Sequence, residues 1–355
     1  MTRTTRIVAI RRAEGMRRRA RPPARARRVW AVLGAITSSA FVAVGLAGIV
    51  SVSALGALST DLPDPSDLGK LSFAEPTIVY DRDHKVELGR FQDQRRRVLP
   101  YADIPTLVLD ATTTAEDRSF WDNAGIDPAA LISAVAENAS GVSERGASTI
   151  TQQLVRARLL PEDVVSGSDR YLRKAKEIIQ ALRLTEEYPG PAGKERVISA
   201  YLNEIYYGHE AYGIAAAADV YFGVTDLSEL TVAQAALLAG LPKAPSMLDP
   251  YRHAEKDEEG RLVVPRDAAP VVRRDWVLQG LETAGRWTKL TPSQVQAALA
   301  EPVVLAGERP IRIPGGQFTW QVRRQLRAIL GPDADLERGG YRVTTTLDWK
   351  AQQLA

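Results

Sequence analysis

The chain has 355 residues, 45% of them apolar and 25% charged, with a net charge of +3 and no cysteine. That length supports a core that needs no covalent cross-link, and the lack of thiols excludes disulfides, thiolate catalysis and zinc–thiolate sites. The three histidines, His84, His209 and His253, lie far apart in sequence, which argues against a histidine metal site.

The charge is unevenly placed. Residues 1–28 hold eleven Arg, no Lys and one acid, Glu14, so this tail carries +10 and residues 29–355 carry −7. The high pI belongs to the tail and is no argument for nucleic-acid binding. From Val29 to Thr60 there are 32 residues without a charge, against the ~20 that cross a bilayer. Trp30 stands at the basic end, the place of an interfacial aromatic, and the Arg cluster predicts a cytoplasmic N-terminus on a single-pass anchor. A secretory signal would have a shorter apolar run and a small-residue cleavage site.

Asp61 to Leu71 is rich in Pro and Asp and reads as a linker; Thr77 to Leu88 reads as a hairpin turning at Asp81 to His84. Arg95-Arg96-Arg97 reads as a solvated charge run in preference to a phospholipid contact. The most informative stretch follows, from Ala115 to Leu160. Glu116 and Asp117 stand just ahead of Phe120 and Trp121. Asp127 as N-cap and Pro128 at the first helical position predict a helix carrying Leu131, Ile132 and Val135. A polar loop runs from Ser140 to Gly146. Thr149 with Gln152 three residues later has the form of a capping box, and the helix it starts aligns Ser148, Gln152 and Arg156 at four-residue spacing. A carboxylate near an aromatic wall, then a helix presenting Gln and Arg together, suits a hydroxylated, anionic substrate.

Leu172 to Tyr188 predicts a helix with Leu172, Ala175, Ile179 and Leu182 as its apolar stripe. On it Arg173 and Glu177 share a face, which alone reads as a surface ion pair. Glu195 to Tyr207 predicts a helix burying Ile198, Tyr201, Leu202 and Ile205 and ended by Gly208. An Ala-rich helix from Ala211 ends near Gly223, and Leu227 to Leu241 forms another, with a second capping box at Thr231 and Gln234. Past Tyr251, acidic linkers alternate with helices near 270–284, 291–300 and 317–330, and Gly340 to Asp348 alternates like a strand.

These stretches resemble the glycosyltransferase family 51 domain, the peptidoglycan glycosyltransferase of class A penicillin-binding proteins and of monofunctional transglycosylases. Glu116-Asp117-Arg118-Ser119-Phe120 is similar to the family's first motif, and Gly146-Ala147-Ser148-Thr149-Ile150-Thr151-Gln152-Gln153-Leu154 to its second. Arg173-Lys174-Ala175-Lys176-Glu177, Tyr201 to Gly208 and Ala239 to Ser246 resemble the third, fourth and fifth, in order. Two positions depart from the pattern: Asn123 stands where the family has His, and Ala157 where it has Asn. Gly340 to Asp348 resembles the link into a transpeptidase domain, whose Ser-x-x-Lys and Lys-Thr-Gly the sequence does not contain, so the chain reads as the front part of a bifunctional protein.

The resemblance implies a mainly α, lysozyme-like glycosyltransferase domain on a single N-terminal transmembrane helix, with a small β hairpin before it and a short strand at the C-terminus. The expected organisation is a basic cytoplasmic tail over 1–28, a transmembrane helix over 29–60, a linker and hairpin over 61–100, the glycosyltransferase core over 101–250, a helical region over 251–340 and the link over 341–355. It implies polymerisation of lipid II, a disaccharide-pentapeptide on undecaprenyl diphosphate, into β-1,4 glycan with inversion. Glu116 would be the base toward the acceptor hydroxyl, and Glu177 would assist at the donor diphosphate. Arg156, Arg173 and Lys174 would hold that diphosphate, with Asp117, Arg118, Ser148, Thr149, Gln152, Gln153 and Asn203 as further substrate contacts. No cofactor is required; a divalent cation, Mg or Mn, at the diphosphate with Glu177 as ligand is compatible. The implied partners are lipid II, the growing strand, the bacterial cytoplasmic membrane and cell-wall synthesis proteins, with no nucleic acid. The alternative is a catalytically weakened, membrane-tethered scaffold of the same fold.

Overall fold

A helix with eight consecutive buried residues is one that the sequence pattern does not announce. Residues 106–116, TLVLDATTTAE, contain four Thr and no apolar stripe, yet form a helix in which Val108 through Ala115 are all buried. A helix enclosed on every side needs no polar face, so its 3.6-residue periodicity vanishes. The computed structural model describes residues 56–354 except 57, 60, 71–72, 74, 93–94, 131–132, 134–147, 308–315 and 332. The basic tail, nearly all of the 29–60 apolar run, most of the helix started by Asp127 and the 140–146 loop lie outside them. Among the described residues no helix is long and apolar enough to cross a membrane.

In chain order the elements are β1 (Thr77–Tyr80), β2 (Glu87–Phe91), β3 (Arg95–Arg96), α1 (Thr106–Glu116), α2 (Ile150–Arg158), α3 (Glu162–Ser166), α4 (Arg170–Glu187), α5 (Gly190–Glu204), β4 (Ala211–Tyr212), α6 (Ile214–Phe222), α7 (Val232–Gly240), β5 (Glu255–Lys256), β6 (Leu262–Val264), α8 (Ala269–Ala284), α9 (Pro292–Ala300), β7 (Val303–Leu305), α10 (Gly316–Leu330), β8 (Arg342–Thr344) and α11 (Trp349–Leu354). The class is mainly α, as expected. The hairpin is β1–β2, closed by the Asp81 carboxylate, which accepts from the backbone of Lys85 and Val86 at 2.7 and 2.9 Å. The expected late strand is β8, and it pairs in parallel with β1, Val79 opposite Val343. Helix α10 packs on β2, and Val79, Leu88, Val322 and Leu336 form a separate small core there. The three-stranded sheet β5–β6–β7 falls in a stretch that the sequence reads as acidic linkers.

The helices that carry the site form two groups. Helix α2 packs between α4 and α5; α1, α7 and α8 pack against one another. The second group has an alanine core, including Ala111, Ala115, Ala235, Ala236 and Ala239, against Val277, Leu278 and Leu281. Small side chains let the axes approach closely. At Gly240 a Cβ would come within 2.9 Å of the Arg273 side chain, so α7 lies almost on α8. The capping boxes at Thr149–Gln152 and Thr231–Gln234 are formed as expected, and a third caps α9 through Thr291 and Gln294.

Two expectations need correction. The α4 stripe is rotated: Ile179 is buried, but Leu172 and Leu182 are 38% and 41% exposed, while Lys176, Glu177, Gln180, Ala181 and Leu184 face inward. The turn is set by Glu177, which is drawn into the protein by cations. Arg96 is neither solvated nor a headgroup contact. Its side chain is 2% exposed, pairs with Glu204 at 2.9 Å and lies over Tyr212 and Phe73.

Asp110 joins α1 to the chain leaving α8. Fully buried, it accepts from the backbone N–H groups of Arg286, Trp287 and Thr288 at 2.9, 2.8 and 2.5 Å. Asp110→Ala leaves three donors without their acceptor and is expected to destabilise the fold by about 3 kcal/mol, with Asp110→Asn costing less because one carbonyl oxygen remains. Chemical unfolding of the two variants beside the parent checks this.

Candidate active site

The end of α1 and the length of α2 create the site. Glu116 is the last residue of α1 and its side chain is only 8% exposed. Its Oε2 accepts from the Gln153 amide at 2.8 Å, and the Gln153 carbonyl oxygen accepts from the Tyr201 hydroxyl at 3.1 Å. On the other side Arg273 of α8 donates to the Ala115 carbonyl at 3.0 Å and stands 3.5 Å from Glu116 Oε1. Burial pushes the Glu116 carboxyl above its ordinary range, and Gln153, Arg273 and Lys243 hold it back in part. Such a group is a stronger base than an exposed carboxylate.

The second carboxylate is arranged differently. Glu177 lies on α4 with a side chain 1% exposed, and Arg156 of α2 grips it with both Nε and Nη2, at 2.5 and 3.2 Å. Arg173 and Lys174 stand 3.7 and 3.3 Å from it. Lys174 also donates to Ser148 Oγ at 2.8 Å and to Gln152 Oε1 at 3.2 Å. Arg156, Arg173 and Lys174 keep 40%, 32% and 30% of their side chains exposed. The carboxylate thus lies beneath and the cations face outward, with two positive charges in excess. Burial lowers the Lys174 pKa despite the Glu177 charge. The surface that results suits a multiply charged anion.

Helix α2 connects the two groups. Gln152 and Arg156, four residues apart, share the face toward Lys174 and Glu177; Gln153, about 100° around the helix, faces Glu116. The neighbouring expected residues have other surroundings. Thr149 caps α2 and donates to the Gly125 carbonyl at 2.6 Å. Asp117 points inward, accepting from Asn123 Nδ2 at 3.0 Å, Ser119 Oγ at 3.1 Å and the Ile150 N–H at 3.2 Å. Asn123 also accepts from Lys194 at 3.0 Å, so this departure keeps a hydrogen-bonding side chain beside Asp117. Asn203 uses both ends of its amide on the Leu99 backbone, at 2.9 and 2.8 Å. Arg118 lies over the Trp276 ring on α8. Of the residues expected to bind substrate, Ser148, Gln152, Arg156, Arg173 and Lys174 gather at Glu177, and Gln153 at Glu116. Asp117, Thr149 and Asn203 have internal partners.

Arg273 and Tyr201 are the additions. Tyr201 reads from sequence as a core residue, and it is fully buried, but its hydroxyl completes the Gln153 contact. Arg273 has no local signal; it is 157 residues from Glu116 in sequence and arrives only through α8 packing on α1.

The Transglycosylase family matches residues 84–281. Penicillin-binding protein 1A of Rickettsia prowazekii is 32% identical over 302 residues, 84% of this chain and 35% of that protein. The Haemophilus influenzae protein of that name is 33% identical over 80% of this chain and 30% of its own length, and penicillin-binding protein 1A/1B of Bacillus subtilis 31% over 81% and 29%. The chain therefore spans about a third of the length of these relatives. A crystal structure of the Haemophilus influenzae protein aligns with 80% of this chain and 28% of that one, at 24% identity and a TM-score of 0.41. With the family's match running from the hairpin into α8, more than half of its length, the chain belongs to the Transglycosylase family, the glycosyltransferase family 51 domain found in class A penicillin-binding proteins.

Proposed function

We propose that the protein is a membrane-anchored peptidoglycan glycosyltransferase that polymerises lipid II. The observation that carries this reading is the pairing of one nearly buried carboxylate, Glu116, with a neighbouring surface of three outward cations, joined by one short helix. A glycosyl transfer to a sugar hydroxyl from a diphosphate donor needs a base at one end and positive charge at the other.

The acceptor's N-acetylglucosamine 4-hydroxyl gives its proton to Glu116. The oxygen then attacks the anomeric carbon of the donor's N-acetylmuramic acid as the bond to the diphosphate breaks. Attack opposite the leaving group inverts that centre and gives a β-1,4 link. Arg156, Arg173 and Lys174 take up the charge that develops on the departing undecaprenyl diphosphate. Gln153 and Arg273 fix the carboxylate toward the acceptor. Glu177 keeps the three cations together and limits their mutual repulsion. A divalent cation takes several oxygen ligands, whereas Glu177 has both oxygens on cationic side chains, and no group of three or more acids or histidines gathers among the described residues. These residues do not fit a metal. The 29–60 apolar run would hold the enzyme in the membrane where its lipid substrate lies.

Two expectations follow. The 355-residue chain in detergent makes glycan from lipid II, and Glu116→Gln lowers the rate by at least about 10²-fold with the fold intact; a folded parent that makes no glycan contradicts the reading. The base acts deprotonated, so kcat/KM falls as pH drops through the Glu116 pKa, which burial sets above the ordinary carboxylate range. Arg273→Ala removes an influence that lowers this pKa, so the acid limb of the profile moves to higher pH. A limb that stays in place or moves to lower pH counts against the assignment.

A further inference from the structure

Helix α8 carries Arg273, Trp276 and Gly280 at three- and four-residue spacing, so they share a face. Arg273 meets Glu116 at 3.5 Å, and its guanidinium carbon is 4.3 Å from the centre of the Trp276 ring. Arg118, two residues after Glu116, lies 5.4 Å from the same ring. Gly280 makes room for this second stack: a Cβ there would come within 2.8 Å of an Arg118 guanidinium nitrogen. The indole stays 44% exposed. A single exposed Trp on a surface calls for no explanation. This one stands a single side chain from the proposed base, with two cations fixing its plane.

A pyranose ring has C–H bonds on its faces and oxygens around its rim. The exposed part of an aromatic ring accepts the first, and guanidinium N–H groups donate to the second. We propose that Trp276 is a saccharide platform on the acceptor side of Glu116. A ring of an N-acetylated amino sugar lies on the indole, and its rim oxygens accept from Arg118 and Arg273. This deepens the reading of Glu116 as base toward an acceptor hydroxyl and rests on it. Trp and Arg also occur together at lipid surfaces. The position favours the sugar, because Arg273 is only 14% exposed and turned to Glu116.

The test compares the parent, Trp276→Ala and Trp276→Phe, each as the 355-residue chain in detergent. Initial rates of lipid II polymerisation are read alongside calorimetric binding of a soluble β-1,4-linked N-acetylglucosamine tetramer. Trp276→Ala is expected to raise KM by about tenfold and to weaken tetramer binding about as much, with kcat little changed and most of the loss restored by Phe. An unchanged KM with unchanged tetramer binding overturns the proposal, as does a tetramer that does not bind the parent. Loss of affinity for vesicles of anionic phospholipid, with KM and tetramer binding intact, assigns Trp276 to the membrane surface and also overturns it. If the parent binds the tetramer through Trp276 but makes no glycan, the platform stands and the polymerase reading fails.

Discussion

A carboxylate almost wholly withdrawn from water needs close partners, and Glu177 sets that condition for much of this structure. It lies on α4, yet its principal partner, Arg156, is on α2, so the two helices are held in one register. Its other partners, Arg173 and Lys174, come from the preceding turn of its own helix. The rotation that buries Glu177 leaves Leu172 and Leu182 toward water. A buried ion pair of this kind is often no more stabilising than well-packed apolar residues would be. What it provides here is a fixed array of cations over a surface that opens outward.

Glu116 presents the complementary solution. Its neighbours are an amide, a tyrosine hydroxyl reached through that amide, and one largely buried guanidinium. Few opposing charges and strong desolvation move its pKa up, whereas the Glu177 site surrounds its carboxylate with cations. The two acids thus have different partners, an amide and one guanidinium at Glu116 and three cations at Glu177. The alanine-lined contact of α1, α7 and α8 places Glu116, and the capping box at Thr149 fixes the start of the helix that faces both acids.

Local chemistry was readable in the sequence and tertiary placement was not. The capping residues Thr149, Thr231 and Thr291, the Asp81 turn and the helices after residue 170 carry signals within a few residues, and all are present. Helix α1 gave no signal because it is buried on every side. Arg96 looked solvated because its partners, Glu204 and Tyr212, lie more than a hundred residues on. Arg273 was hidden for the same reason. A motif also fails to separate residues that hold a site's shape from those that face its ligand. Asp117, Thr149 and Asn203 stand within motifs, yet their polar atoms bind the protein's own backbone and side chains.

The central claim is a division of labour, with Glu116 for chemistry and the Arg156–Lys174 surface for holding the donor. The most direct measurement is equilibrium binding of labelled lipid II to Glu116→Gln and to the double variant Arg156→Ala, Lys174→Ala. The account predicts that Glu116→Gln binds within about threefold of the parent, while the double variant loses about 10²-fold or more, as expected for two charge-assisted contacts to a diphosphate. Lost binding in Glu116→Gln with full binding in the double variant would contradict it.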